Sequence, residues 1–156
     1  TSRWGVAPAD ARLLAHLAAG RPGWAVQAAR DPGLLAGRRR QLDLLYEALG
    51  QARVGRFALA ETLARDAEAL PDMLRLWAGW WRDAALLSAG RAEGVDSPGL
   101  LNVDEIGRLA ELSAAWPWPR ILASLKGTRA ATGQLGRNAN IRLVLENLLL
   151  TYPAAP

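Results

Sequence analysis

Apolar positions along this chain recur three and four residues apart, over and over, and almost never alternate. Ala and Leu dominate, β-branched residues are few, and no period-two run exceeds about four residues, so the pattern predicts helices and no sheet. A first helix is expected over 8–19, with Pro8 near its first turn and Gly20 as its stop. A second follows over 22–30, and a third over 32–49, where Asp31-Pro32 supplies a cap and a proline at the first helical position. A fourth covers 55–69 and a fifth 71–89, ended by Gly90. Residues 90–103 carry the longest loop signal, with Gly, Ser and Pro together. The remaining helices fall at 103–115, at 119–135 after the break "WPWP", and at 140–151 with Asn140 as cap and Pro153 beyond the end. The fold class is therefore all-α: a helical bundle of about seven to eight helices whose short connections favour antiparallel neighbours.

The fifth helix contains "WAGWWRD". On a helical wheel Leu70, Met73, Leu74, Trp77, Trp80, Trp81, Ala84, Leu87 and Ser88 share one broad face. Asp72, Arg75, Gly79, Arg82 and Asp83 form a narrow stripe opposite, and Leu76 and Leu86 lie on or beside it. A helix so nearly apolar all round belongs in the centre of a bundle. Each tryptophan can bury about 150–250 Å², roughly 4–6 kcal/mol gross at about 25 cal/mol/Å². Core packing is the first reading of the three rings. A base-stacking platform, a cation cage and a subunit contact are the others; stacking aromatics normally sit among basic residues, and this stretch is acidic.

Charge is uneven. Residues 1–56 hold nine Arg against four acids, residues 57–115 five Arg against ten acids, and residues 116–156 five bases against one acid. Such basic ends suit a nucleic-acid partner, but they are patchwork rather than one dense stripe. The bases are 18 Arg and a single Lys, which reads as codon bias. No cysteine is present, which excludes disulfides, thiol catalysis and cysteine metal sites and fits a reducing, cytoplasmic setting. His16 is the only histidine, so a zinc cluster or a Ser-His-Asp arrangement has little to draw on. No apolar run is long enough for a membrane span. No signal-peptide pattern opens the chain, which begins as an excised fragment would.

Motifs of catalysis are missing. "LKGTR" at 125–129 sits within a helix with no strand before it, so it is not a phosphate cradle. No HExxH, GxSxG or EF-hand pattern occurs. Asp104-Glu105 opens a helix, where carboxylates suit the dipole. No catalytic residue, cofactor or metal is expected, and the residues alone point to a non-enzymatic helical module that joins an assembly.

Two features suggest where. On the last helix Ile141, Val144, Leu145, Leu148 and Tyr152 make the core stripe, while Leu143 and Leu150 share the other side with Arg142, Glu146 and Asn147. That leucine pair is to be covered either by another helix or by another chain. On the third helix Arg38 lies within the face of Leu34, Leu35, Leu42, Leu45 and Leu49, where an unpaired charge is costly. It either snorkels outward from the end of the buried zone or sits at a subunit boundary. Arg39 is spaced to pair with Asp43, and Arg40 to pair with Glu47.

"LAHLAAGRPGWAVQAA" at 14–29, "WWRDAALLSAG" at 80–90 and "NANIRLVLENLLL" at 138–150, in that order and spacing, resemble the C-terminal part of the delta prime family of bacterial DNA polymerase III clamp-loader subunits. The resemblance covers nearly the whole chain. It implies that residues 1–30 are the end of an AAA+ lid domain and that residues 31–156 are a helical collar, an oligomerisation domain. A phosphate-binding loop would then lie upstream. ATP-binding relatives carry a sensor arginine three positions after the glycine that opens the lid helix; here Gly20-Arg21-Pro22-Gly23 places glycine there. That departure favours delta prime, which does not hydrolyse ATP, over the collar of a gamma/tau-type subunit.

The implied role is a scaffold. Collars of five subunits form a ring, and the parent complex loads the sliding clamp on primer–template DNA. Implied partners are gamma/tau and delta subunits, with clamp and DNA as indirect partners. Arg82 and Asp83 match the family's charged pair, and Asn138 and Asn140 its Asn-x-Asn turn. Asn140 reads first as a helix cap and second as an interface group. Candidate subunit-interface residues are Arg38, Arg82, Asp83, Asn138, Arg142, Leu143 and Leu150. A helical nucleic-acid-binding module, using the bases around Arg38–Arg40 and Arg120–Arg142, is the rival of another class.

Overall fold

Helical periodicity is realised throughout the computed structural model, which describes residues 8–92, 97 and 99–156, the first two by their backbone alone. The described residues form eight α-helices and one 3-10 turn joined by turns and short coil, with no strand among them. They are α1 (Pro8–Leu17), α2 (Pro22–Arg30), α3 (Pro32–Gly50), α4 (Arg53–Ala64) and α5 (Leu70–Ser88). After the 3-10 turn Val103–Glu105 come α6 (Ile106–Ala115), α7 (Trp118–Leu135) and α8 (Ile141–Thr151).

Local chemistry sets most boundaries. Asp31 caps α3 by accepting from the Gly33 N–H at 2.8 Å, and Asn140 caps α8 by accepting from the Leu143 N–H at 3.1 Å. The first helix stops at Leu17, two residues short of the expected end, because Ala19 (φ 49°) and Gly20 (φ 79°) turn left-handed. The fourth helix ends at Ala64 rather than 69. Leu63 is its last buried residue, Arg65–Glu68 are exposed, and the chain turns there before Leu70. The apolar residues of that interval are only Ala67, exposed, and Ala69, half-buried, too little to hold another helical turn against the core.

The helix α5 is central. It packs most extensively against α7, then α6 and α3, while α8 lies between α7 and α4. Trp77, Trp80 and Trp81 are each 0% exposed, so core packing is the role of all three, and neither a stacking platform nor a cation cage is available to them. Their rings join a wider aromatic cluster. Trp80 meets Tyr46 and Trp81 edge-on at 5.9 and 5.0 Å, and Trp81 lies 5.5 Å from Trp116 and 5.0 Å from Tyr152. Trp77 donates to the Gln41 carbonyl at 2.8 Å and Trp80 to the Tyr46 hydroxyl at 3.1 Å. The Trp81 indole N–H has no partner at full hydrogen-bond geometry, the one buried side-chain nitrogen or oxygen of the described residues left so, although it lies near enough to the Tyr152 hydroxyl to favour that group's ionised form. Its cost of about 1–3 kcal/mol is offset by the ring contacts around it.

The buried residues of α1, α2 and the turn between them, Leu14, Leu17, Ala18 and Ala28, stand apart from this core, which runs from Leu42 to Tyr152. The His16 imidazole Nδ1 lies 2.8 Å from the Leu100 carbonyl, so this histidine ties α1 to the segment before the 3-10 turn.

Arg56 holds the other end of the molecule. This buried guanidinium donates to the carbonyls of Leu149 (2.7 Å), Tyr152 (2.6 Å) and Pro153 (3.1 Å), and to Gln51 (3.0 Å). A cation among the last carbonyls of α8 complements the helix dipole. It also fixes α4 antiparallel to α8, because the start of one lies at the end of the other. The tail is stapled twice more, by the Trp116 indole to Ala154 O (2.8 Å) and by Ala155 N to Leu49 O (2.9 Å). Gly127 permits the approach of α7 to α8, since a Cβ there would meet Thr151 Oγ1 at 3.3 Å.

The contrast between the buried and the outlying tryptophans is testable. Trp80→Ala is expected to lower unfolding stability by about 3–5 kcal/mol, whereas Trp118→Ala, at a residue 45% exposed, is expected to change it by no more than about 0.5 kcal/mol. Urea denaturation followed by circular dichroism distinguishes the two.

Candidate subunit interface

Asp83 sits on the polar stripe of α5, yet it is 0% exposed, because the segment 99–102 folds over it. Its Oδ2 accepts from the backbone N–H of Leu101 (3.0 Å) and of Asn102 (2.8 Å), and from the Asn102 amide (2.8 Å). Arg82 bridges outward, donating to Asp83 Oδ1 at 3.3 Å and to the Gly99 carbonyl at 2.7 Å. Burial pushes the Asp83 carboxyl above the usual range, and the hydrogen bonds from Asn102 and Leu101, with the Arg82 charge, pull it back.

Asn102 carries this network to α3. Its carbonyl oxygen accepts from Arg38 at 2.6 Å, and Arg38 also grips Asp104 in a forked contact of 2.5 and 3.1 Å. One helical position on, Arg39 pairs with Glu105 and with Asp43, the latter at 3.2 Å. Glu105 is buried and accepts from the Tyr46 hydroxyl at 2.6 Å, which in turn accepts from Trp80. The Arg108 guanidinium lies 3.6 Å above the Tyr46 ring. Burial, then the Glu105 hydrogen bond, raises the Tyr46 hydroxyl far above the ordinary phenol range, so it stays a donor.

Two of the seven candidate interface residues are therefore turned inward. Arg38 is 9% exposed and paired within its own chain: Asp104, 66 residues away, neutralises it, and the Asn102 side-chain oxygen, 64 residues away, accepts a further hydrogen bond. Asp83 is enclosed by its own loop. The remaining five keep some surface. Arg82 is 40% exposed beside Asp83. Asn138 is exposed at φ 55° in the turn between α7 and α8, a left-handed position asparagine tolerates. Arg142 is exposed and pairs with Glu146 at 2.8 Å; that bond, with Glu61 beyond, raises its pKa. Leu143 is 53% exposed and Leu150 is half-buried, and neither joins the core.

The pairing of α4 with α8 places Val54, 81% exposed, at the Leu150 end of this face and Glu61 near Arg142 at the other. The result is a two-helix surface with apolar points and charged flanks. Arg39 meets Asp43 as its spacing predicted, but Arg40 does not meet Glu47, since seven residues of helix separate them by about 10 Å. Sequence reasoning missed Asn102, Tyr46 and Arg56, and it read Asp104-Glu105 only as helix-start acids. The consecutive pairs Arg38-Arg39 and Asp104-Glu105 were the available signal.

A groove of about 300 Å³ opens between the α1–α2 pair and the α3–α5 pair, walled by Leu17, Trp24, Leu34, Leu76 and Leu101 with Arg38 at its base. No cluster of His, Asp and Glu among the described residues is arranged to hold a metal ion. No helix among them is long and apolar enough to cross a membrane. Comparison of the chain with family models, curated proteins and solved structures finds no match.

The buried carboxylate carries a pH signature. The native pKa of Asp83 is raised, so its folded form binds the proton more tightly than the unfolded form does. Its contribution is therefore most favourable below the ordinary value of 3.8 and is lost as pH rises through the elevated native value. Asp83→Asn removes the titration. Unfolding midpoints of the two proteins in urea are expected to shift in favour of wild type as pH falls from neutral through that window.

Proposed function

We propose that this chain is a non-catalytic scaffold: the lid end and collar of a clamp-loader subunit of delta prime type. In this reading residues 31–156 assemble with gamma/tau and delta collars, and the complex loads the sliding clamp on primed DNA in the cytoplasm. Support comes from the ordered resemblance of three stretches and from Gly23 at the sensor position. The separate packing of α1 and α2 from the main core agrees with a boundary near residue 30.

The observation that carries the reading is the outer face of α8. Leu143 and Leu150 lie one heptad apart on the side away from the core, and no helix among the described residues buries Leu143. An assembly partner would remove that apolar surface from water. Within the core, Asp83 and Arg38 serve this face only indirectly, by holding the bundle in one arrangement.

The test is the mass in solution of the chain, alone and mixed with the gamma/tau collar of the same organism, by light scattering after size exclusion. A hetero-oligomer is expected, and Leu143→Asp with Leu150→Asp is expected to dissociate it by at least about tenfold while circular dichroism stays unchanged. Strict monomers in every mixture would overturn the reading.

A further inference from the structure

The other outward face belongs to α7, and its chemistry is different. From Leu112 to Leu145 the sequence contains no acidic residue, but it holds Arg120, Lys126, Arg129, Arg137 and Arg142. Arg142 is paired with Glu146. Lys126, Arg129 and Arg137 are exposed and form no ion pair with any described residue.

On α7, Trp118, Leu122, Lys126, Arg129 and Gly133 follow one another at steps of four, four, three and four, so they lie along one side of the helix. That side borders the buried set Ile121, Ser124, Leu125, Thr128 and Ala131; Lys126, Arg129 and Gly133 along it are exposed, and Leu122 is half-buried. Trp118 is 45% exposed, while its neighbour in "WPWP", Trp116, is 8% exposed and belongs to the aromatic core. Pro117 and Pro119 set this division, one ring turned in and the other left out at the head of the helix. The helix is 18 residues long, about 27 Å, and the exposed Arg137 follows in the turn after its end.

An exposed indole at one end of an unneutralised basic row is the arrangement that single-stranded nucleic acid needs: cations for successive phosphates, and a flat ring for an unpaired base. Duplex would use the charges but not the ring. Arg38 and Arg39 cannot contribute, because Asp104 and Glu105 neutralise them. We propose that the outer side of α7 binds single-stranded nucleic acid without sequence preference, with Lys126, Arg129 and Arg137 on the phosphates and Trp118 stacked on a base. This inference does not rest on the scaffold reading; the surface lies on a different helix from Leu143 and Leu150.

The experiment is a fluorescence-anisotropy titration of a labelled thymidine homopolymer of about twenty nucleotides with the full chain at low salt. Binding on the order of micromolar is expected, weakening with salt at a log–log slope of about −2 for three phosphate contacts. Lys126→Glu with Arg129→Glu is expected to weaken binding at least about tenfold, and Trp118→Ala about five- to a hundredfold. Arg12→Glu with Arg65→Glu, on α1 and beside α4, changes net charge equally and is expected to leave binding nearly unchanged. All the substituted residues are exposed, and circular dichroism checks each fold. Absence of binding at low salt overturns the proposal. So does an equal loss in the Arg12/Arg65 variant, wild-type affinity in Trp118→Ala, or duplex of the same length binding as tightly as the single strand.

Discussion

A single carboxylate, Asp83, organises the middle of this molecule. It is buried on the one polar side of an otherwise apolar helix, and an isolated charge there would be costly. The chain meets that cost with two backbone N–H groups and an amide from residues 101–102. Once those residues are drawn onto α5, Asn102 faces Arg38, and Asp104 and Glu105 follow in register to meet Arg38 and Arg39 on α3. Leu100 is brought beneath α1, where its carbonyl meets His16. The hydrogen bonds that start at this carboxylate thus link α1, α3 and the 3-10 turn before α6 to the central helix, beside the apolar contacts they share.

The same helix thus serves two kinds of order. Its tryptophan side is held by area and shape: large rings fill space and tolerate an indole with no partner at full hydrogen-bond geometry. Its Arg-Asp side is held by directional bonds that permit only one path for the following loop. Hydrophobic burial supplies most of the free energy, but it does not discriminate well between neighbouring registers of two apolar surfaces. In this bundle the network from Asp83 through Asn102 and Arg38 to Asp104 makes that choice. Arg56 plays the corresponding part at the far end, where bonds to the final carbonyls of α8 set the direction of α4.

What remains for the surface divides by helix. The outer side of α8 leaves Leu143 exposed among charged neighbours. The outer side of α7 is basic and carries an exposed indole. Because the two faces lie on adjacent helices and share no residue, the proposed assembly through one and the proposed nucleic-acid binding through the other need not compete.

The sequence by itself determined the helices, the caps at Asp31 and Asn140, the central place of the tryptophan helix and the Arg39–Asp43 pair. All of these depend on neighbours within about one helical turn, where spacing dictates geometry. Other features needed the tertiary structure. The wheel of α5 placed Asp83 opposite the core, and only the return of residues 99–102 buried it. Arg38 read as a misplaced charge until Asp104 arrived from 66 residues away. The fourth helix ended early because no partner surface met residues 65–69, and Leu149, absent from the expected stripe, was buried when α4 packed beside α8. A pattern records which side of a helix prefers water; it does not record which other segment will cover the remaining side, because that depends on contacts between residues far apart in the chain.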